Sequence, residues 1–229
     1  MRTCGGIAVA LTLAWLLASV SGAARPQPAE ASRLLHPLFR DHAVLQRDRP
    51  IEVHGEAAPG AAVAVTLGRA SAEARADANG RWSARLPALG AGGPYELTAT
   101  ANGETMTARD VLLGDVFFCS GQSNMAFSQR QAQGAADDAR SSADAGLRHF
   151  TVPAAASLTP QRSLPGNPRW IVASPETVGG FSAVCYYFAR ELKKTVDVPI
   201  GLVTAAYGGA RVRPRTRPSA TSTSQRPRA

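Results

Sequence analysis

Residues 111–125 read Val-Leu-Leu-Gly-Asp-Val-Phe-Phe-Cys-Ser-Gly-Gln-Ser-Asn-Met, and no other stretch says more about the fold. The part from Val111 to Cys119 is almost entirely apolar, interrupted only by Gly114-Asp115. A short continuous apolar run of this kind is typical of a strand buried on both faces of a parallel sheet. Small and polar residues follow at once. They predict a tight turn at the carboxyl end of the strand, where parallel sheets place ligands and chemistry.

The sequence after this stretch alternates between strand and helix patterns. Leu147 to Val152 and Pro199 to Ala206 are candidate strands, and a polar, Ala- and Gln-rich stretch after Met125 is a candidate helix. Ser182 to Lys194 has apolar residues at helical spacing, with Ser182 as a plausible N-cap. Residues 153–180 are rich in Pro and Gly and predict an irregular connection. Strands that alternate with helices indicate an α/β domain with a parallel sheet over residues 111–210.

Upstream, residues 33–110 have the pattern of a small β-sandwich domain. Apolar residues alternate with polar ones in short runs about ten residues apart, and turn-forming residues separate the runs. The strongest hairpin signal is Asn79-Gly80. The runs contain Ile51 and Val53; Val63, Val65 and Leu67; Trp82, Ala84 and Leu86; and Tyr95, Leu97 and Ala99.

The two ends of the chain differ from this body. An apolar run from Ile7 to Val20 follows Arg2 and precedes small residues, and it is shorter than the roughly 20 residues of a membrane span. We therefore expect residues 1–24 to be a signal peptide cut near Ala23 or Ala24, which predicts a secreted or periplasmic protein without stable membrane insertion. The alternative is an uncleaved anchor.

The charge of the chain is concentrated in the segment after Ala210. The formal net charge is +8, and six of those positive charges come from arginines in residues 211–229, which contain no acidic residue. The body is therefore close to neutral, so the composition does not predict a nucleic-acid partner. The segment lacks hydrophobic periodicity and is predicted to be disordered.

The cysteines and histidines predict no metal site, and we expect no cofactor. No Cys/His pair has the spacing of metal ligands. Cys119 and Cys185 both lie in apolar runs, where a free cysteine behaves as a small buried hydrophobe. A disulfide between them is permitted in an oxidising compartment, but the sequence favours two core thiols.

Two loops qualify as a site because each follows a predicted parallel strand. In the first, Ser123 would present its hydroxyl on a tight strand-to-helix turn, with backbone N–H groups facing a developing oxyanion. Met125 stands where an ordinary nucleophile elbow has its second glycine. The second loop is Tyr207-Gly208-Gly209, whose glycines permit close backbone approach. From these residues alone, a polar loop that starts a helix and a simple glycine turn remain alternatives.

Several stretches in the same order resemble the sialate O-acetylesterase family of the SGNH (GDSL-like) hydrolase superfamily. Residues 113–125 are similar to its nucleophile block, and residues 36–50 (His-Pro-Leu-Phe-Arg-Asp-His-Ala-Val-Leu-Gln-Arg-Asp-Arg-Pro) to its β-domain entry. Residues 91–97 (Ala-Gly-Gly-Pro-Tyr-Glu-Leu) and 181–192 (Phe-Ser-Ala-Val-Cys-Tyr-Tyr-Phe-Ala-Arg-Glu-Leu) resemble its hairpin before the nucleophile and its first long helix. The resemblance implies a three-layer SGNH-type α/β/α domain, incomplete here, behind the β-sandwich.

The resemblance also implies an activity and roles for residues. The implied reaction is hydrolysis of acetyl esters on sialic acid, with 9-O-acetyl groups the first expectation, or on a related carbohydrate such as acetylated xylan. Ser123 would be the nucleophile, and its own N–H would be one oxyanion donor. Gly208 or Gly209 would supply a second donor, although Tyr207 and Ala210 replace the Trp and Thr of the family's Trp-Gly-Gly-Thr block.

The sequence departs from the family where a base for the serine is expected. The family's Gln-Gly-Glu loop and Asp-x-x-His block are absent from the 229 residues. His36, His42, His54 and His149 have the positions of packing or surface residues. We therefore expect this chain to be inactive and its segment 211–229 to be the product of a shifted reading frame. If no frame of the downstream DNA encodes the two missing blocks, the shifted-frame hypothesis is wrong.

Two other classes of function remain open at this point. One is a secreted carbohydrate-binding or structural protein, in which the β domain is the functional part. The other is a protein that binds anionic surfaces through a native basic segment after Ala210.

Overall fold

The computed structural model describes residues 33–209, except 156, 158, 160 and 162. The predicted signal peptide (1–24) and the basic segment (211–229) lie outside the described residues. All described residues fall within one compact unit. In this part of the chain, no helix is long and apolar enough to cross a membrane.

The fold is mixed α/β, as the sequence predicts. Ten strands and three short helices follow one another in the described part, together with single 3-10 turns at Pro37–Phe39, Gln129–Gln131 and Val178–Gly180. The strands are β1 (Val44–Gln46), β2 (Ile51–Glu56), β3 (Ala62–Leu67), β4 (Ala70–Arg75), β5 (Arg81–Leu86), β6 (Gly92–Ala101), β7 (Glu104–Gly121), β8 (Asp144–Thr151), β9 (Trp170–Ala173) and β10 (Ile200–Ala206); the helices are α1 (Ser123–Ala126), α2 (Ala135–Arg140) and α3 (Ala183–Leu192).

Strand β7 is shared by the two parts of the molecule, which we call the β region (residues 33–110) and the α/β region (residues 111–209). The larger sheet has the order β4-β3-β6-β7-β10-β8-β9, with β1 also paired to β7, and β2 and β5 form a second sheet. The first half of β7 is antiparallel to β6, and its last residues are parallel to β10. Strand β8 is parallel to β10 on the other side. The parallel sheet predicted from the apolar runs is therefore confirmed.

The alternating runs of the β region form strands with one buried face. In β3, Val63, Val65 and Leu67 are buried while the residues between them are exposed. This burial is expected because successive side chains of a strand point to opposite faces of the sheet. The buried side chains of both sheets join one core, which continues into the α/β region through Phe150 and Trp170.

The hairpin predicted at Asn79-Gly80 is wrong. That pair connects β4 to β5, which belong to different sheets, and the loop is closed instead by Asp77, whose side chain accepts hydrogen bonds from the backbone of Asn79 and Arg81. An Asn-Gly hairpin turn lies instead at Asn102-Gly103, where both residues have positive φ and β6 pairs with β7. Strand β4, with small alanines on its inner face, was not predicted.

Gly114 explains the interruption in the apolar run. A Cβ atom there would lie 2.0 Å from the carbonyl oxygen of Pro199, just before β10 begins. The next residue, Asp115, donates its N–H to that same carbonyl (2.9 Å) and accepts from the Arg47 guanidinium. Glycine at this position therefore lets β10 approach β7.

The burial expected for the second half of β7 is only partly right. Helix α3 covers one face, where Cys119 is buried, whereas Phe118 on the opposite face is 67% exposed. Helix α3 begins as predicted, because the Ser182 side chain accepts a hydrogen bond from Cys185 N. The candidate helix after Met125 is not continuous: α1 ends at Ala126, a 3-10 turn follows at Gln129–Gln131, and α2 begins at Ala135.

Candidate active site

Ser123 lies where the sequence predicts it, at the carboxyl end of β7. It is the first residue of α1, a single helical turn, and it is exposed. The turn is tight because Gly121 has no side chain: a Cβ there would lie 2.7 Å from Cβ of Met125. The local sequence Gly-Gln-Ser-Asn-Met therefore folds back on itself and leaves the serine at the surface.

The second predicted loop lies beside the first. Because β10 runs parallel to β7 in a register that pairs Ala206 with Gly121, the two strands end at the same edge. Tyr207 N donates to Gly121 O (3.4 Å), and Gly208 and Gly209 follow in an exposed turn in which Gly209 has a positive φ. The fold thus brings the serine loop and the glycine loop together. The oxyanion roles of Gly208 and Gly209 stay predictions.

The expectation of two core thiols is wrong. Cys119 and Cys185 form a disulfide, with their Cα atoms 6.4 Å apart. The last residues of β7 pass directly under the first turn of α3, which brings the two side chains within bonding distance. Both residues are buried. Apolar flanks predict burial equally well for a thiol and for a disulfide, so the sequence alone did not separate the two.

His149 lies in β8 and contacts residues other than Ser123. Its Nε2 atom is 2.8 Å from Oγ1 of Thr204, and its ring stacks on Phe181 with centroids 4.5 Å apart. Burial lowers the pKa of His149 to about 4. A neutral buried imidazole stacked and hydrogen-bonded in this way is a core residue, which agrees with the packing role expected from the sequence.

The other histidines lie in the β region. His36 and His54 pack against each other with ring centroids 4.9 Å apart, and His42 contacts the Asp110 carboxylate at 2.7 Å. Burial, with smaller effects from His54 and Arg40, lowers the pKa of His36 to about 4. Within the described residues, no hydrogen bond joins a histidine to the Ser123 hydroxyl.

Two further features of the site escaped the sequence analysis. The thioether sulfur of Met125 lies 3.6 Å from Sγ of Cys185. The Ser182 hydroxyl donates a hydrogen bond to the same Met125 sulfur at 3.5 Å. The glycine four residues before Met125 was the available signal for this close packing.

Over the residues that the structure describes, no three His, Cys, Asp or Glu side chains are grouped so as to hold a metal ion.

Comparison with known proteins gives several relatives. The chain is 34% identical over 177 residues to the sialate O-acetylesterase of Pongo abelii and 33% identical over 177 residues to that of Homo sapiens. Each of these matches covers 69% of this chain and 33% of the relative. The crystal structure of a carbohydrate acetylesterase from Xanthomonas citri superposes with a TM-score of 0.75 at 43% identity, covering 79% of this chain and 42% of that one. No family model matches the sequence.

The chain shares its mixed α/β fold with a carbohydrate acetylesterase, and its relatives are named as esterases, so by descent it falls in a family of esterases. More specifically, the matched part of the chain belongs to the sialate O-acetylesterase family. The chain spans about a third of the length of the curated relatives it matches.

Proposed function

We propose that this protein acts on acetyl esters of carbohydrates, with Ser123 as the nucleophile. The observation that carries the proposal is the meeting of two loops at one sheet edge: the Ser123 turn after β7 and the Tyr207–Gly209 turn after β10, joined through Gly121. The names of the relatives, sialate O-acetylesterase and carbohydrate acetylesterase, support the choice of substrate class.

In the proposed reaction the Ser123 oxygen attacks the carbonyl carbon of the acetyl group. The sugar hydroxyl leaves with a proton, and an acetyl ester of Ser123 remains. Water then attacks this ester, releases acetate and restores the serine. The Ser123 N–H and a Gly208 or Gly209 N–H would stabilise the negative charge on the carbonyl oxygen in both steps.

Within the described residues, no histidine is placed to act as a base for Ser123. A serine hydroxyl is a weak nucleophile near neutral pH unless a neighbouring group takes its proton at about 2.6 to 3.2 Å. The one histidine of the described α/β region, His149, is occupied by Thr204 and Phe181. We therefore propose that the chain of 229 residues turns over acetyl esters slowly or not at all. The same observation favours a second candidate, a secreted carbohydrate-binding protein without catalysis.

The test is an esterase assay on the purified full chain. Acetate release from 9-O-acetylated sialic acid, acetylated xylan and a chromogenic acetyl ester would be compared for the wild type and Ser123→Ala. Ser71→Ala, at an exposed position in β4, is the matched control. We expect any rate of acetate release above background to disappear in Ser123→Ala and to persist in Ser71→Ala. Equal rates for wild type and Ser123→Ala would exclude catalysis by this chain.

The finer architecture is also a proposal. The two sheets of the β region share one core, which supports a β-sandwich over residues 33–110. In the α/β region, α3 covers one sheet face while Phe118 stays exposed on the other, which supports an incomplete three-layer SGNH-type domain. An experimental structure of the full chain would test both statements, because an ordered helix layer over Phe118 would contradict the second.

Export is a further proposal, because the predicted signal lies outside the described residues. It is supported by the disulfide between Cys119 and Cys185, a bond that persists in oxidising compartments. Expression of the full chain in a secreting host, followed by N-terminal sequencing, would test it. We expect a mature N-terminus near Ala23 or Ala24 in the periplasm or the medium, and an intact N-terminus in the cytosol would contradict export.

A further inference from the structure

The serine turn has little stability of its own. Helix α1 is a single turn of four residues, and its N-cap residue Gln122 makes no side-chain capping bond. Helices this short do not persist in water without packing against the rest of the protein. The position of Ser123 therefore depends on what holds α1 to the fold.

Met125 is the residue of α1 that packs inward. Its stem fits against Gly121, where any side chain would collide with it, and its sulfur lies 3.6 Å from Cys185 Sγ. The Ser182 hydroxyl donates to the same sulfur at 3.5 Å. A thioether suits this place because it is flexible and polarizable and fills irregular gaps.

The disulfide fixes the surface on which Met125 rests. Cys119 lies in β7 four positions before Ser123, and Cys185 lies in the first turn of α3, so the bond joins the strand that carries the turn to the helix that packs against it. Cys119 is 8% and Cys185 2% exposed. Sulfurs this buried are shielded from thiols in the folded protein, which favours a permanent cross-link over a redox switch.

We propose that Met125 and the Cys119–Cys185 disulfide are positioning residues that hold the Ser123 turn in place. The functional importance of this inference rests on the proposed function, in which Ser123 is the nucleophile. The structural claim concerns the turn itself and is testable in a chain without turnover.

The first experiment establishes the bond in the full chain. Peptide mapping without reductant should give a covalently linked pair of peptides containing Cys119 and Cys185, and free-thiol labelling under denaturing conditions should modify neither residue. Free thiols at both positions would overturn the proposal.

The second experiment measures amide hydrogen exchange in residues 120–127. Met125→Ala and the double variant Cys119→Ala/Cys185→Ala should exchange at least about tenfold faster there than the wild type, because the turn would open locally. Met125→Leu, which keeps most of the volume, should stay near the wild-type rate. Val65→Ala, in the buried face of β3, is the matched control for a general loss of stability and should leave residues 120–127 unchanged.

The comparison among variants decides the outcome. If Met125→Ala speeds exchange no more in residues 120–127 than Val65→Ala does, or speeds it equally in every peptide, the positioning role is wrong.

The esterase assay tests the proposed function independently of the exchange experiment. If Ser123→Ala does not lower the hydrolysis rate, the proposed function is wrong, whereas the conclusion from hydrogen exchange about the Ser123 turn is unaffected. If hydrolysis is detected, a positioning role also predicts that Met125→Ala lowers kcat with little change in KM.

Discussion

The β region and the α/β region treat their apolar side chains differently. In the β region, strands such as β3 bury every large apolar side chain on one face. The large hydrophobic residues that are exposed in the described part of the chain all lie in the α/β region: Phe118, Phe127, Val184, Phe188 and Tyr207. The described part of the β region thus leaves no large apolar side chain exposed, whereas the α/β region carries apolar surface that no described element covers.

The largest expected change in the free energy of unfolding comes from core substitutions, which also show whether the two regions unfold together. Leu97→Ala in β6 and Leu202→Ala in β10 each remove a side chain with no exposed surface, and each should lower the free energy of unfolding by about 3 kcal/mol. Because β7 pairs with both strands, both variants should shift one common transition in urea, followed by circular dichroism and tryptophan fluorescence. Two separate transitions, each sensitive to one variant, would show independent regions.

A smaller effect concerns the histidines of the two regions. Burial holds the pKa of His149 at about 4, below its ordinary value near 6.5, so the unfolded chain binds the proton first. The contribution of the neutral His149 side chain to the free energy of unfolding is complete above about pH 6.5, and about 3 kcal/mol of it is lost as the pH falls to 4. We expect His149→Gln to flatten the fall in unfolding free energy between these pH values.

His36 provides the comparison in the β region. Its pKa is lowered to a similar value, mainly by burial, but its side chain is only half-buried and the effect is screened by solvent. His36→Gln should therefore flatten the same pH profile less than His149→Gln does. An equal or larger change for His36→Gln would contradict the assignment of His149 to the core.

The smallest effect is expected at the exposed apolar surface. Phe118→Ser should change the free energy of unfolding by less than about 0.5 kcal/mol, because the side chain is 67% exposed and makes few contacts to lose. Urea unfolding measures this directly, beside Leu97→Ala. A loss close to that of Leu97→Ala would show that Phe118 is covered in the protein, and the contrast between the regions would disappear.

The sequence predicted those parts of the fold in which a short pattern determines the structure. Alternation identified β2, β3, β5 and β6, and apolar runs identified β8 and β10. The Ser182 N-cap was correct because its hydrogen bond is local. The Asn79-Gly80 prediction was wrong because a turn signal does not say whether the flanking strands pair with each other. Strand β4 was missed because its inner alanines give a weak pattern.

For the candidate site, the sequence placed the two loops but not what lies beneath them. The meeting of the Ser123 and Tyr207–Gly209 turns follows from parallel pairing of β7 and β10, which the apolar runs indicated. The contact of Met125 with the Cys119–Cys185 disulfide depends on how α3 crosses the sheet, and that angle is a property of tertiary packing.

Strand β7 has a consequence for dividing this protein into parts. It runs without a break from the hairpin at Asn102-Gly103 to the serine turn, and Leu112 within it pairs with Val44 of the β region. A fragment ending at Asp110 would leave β1 without its neighbouring strand. Any graft, fusion or library that exchanges the β region has to keep β7 whole, because this one strand pairs with β1 and β6 of the β region and with β10 of the α/β region.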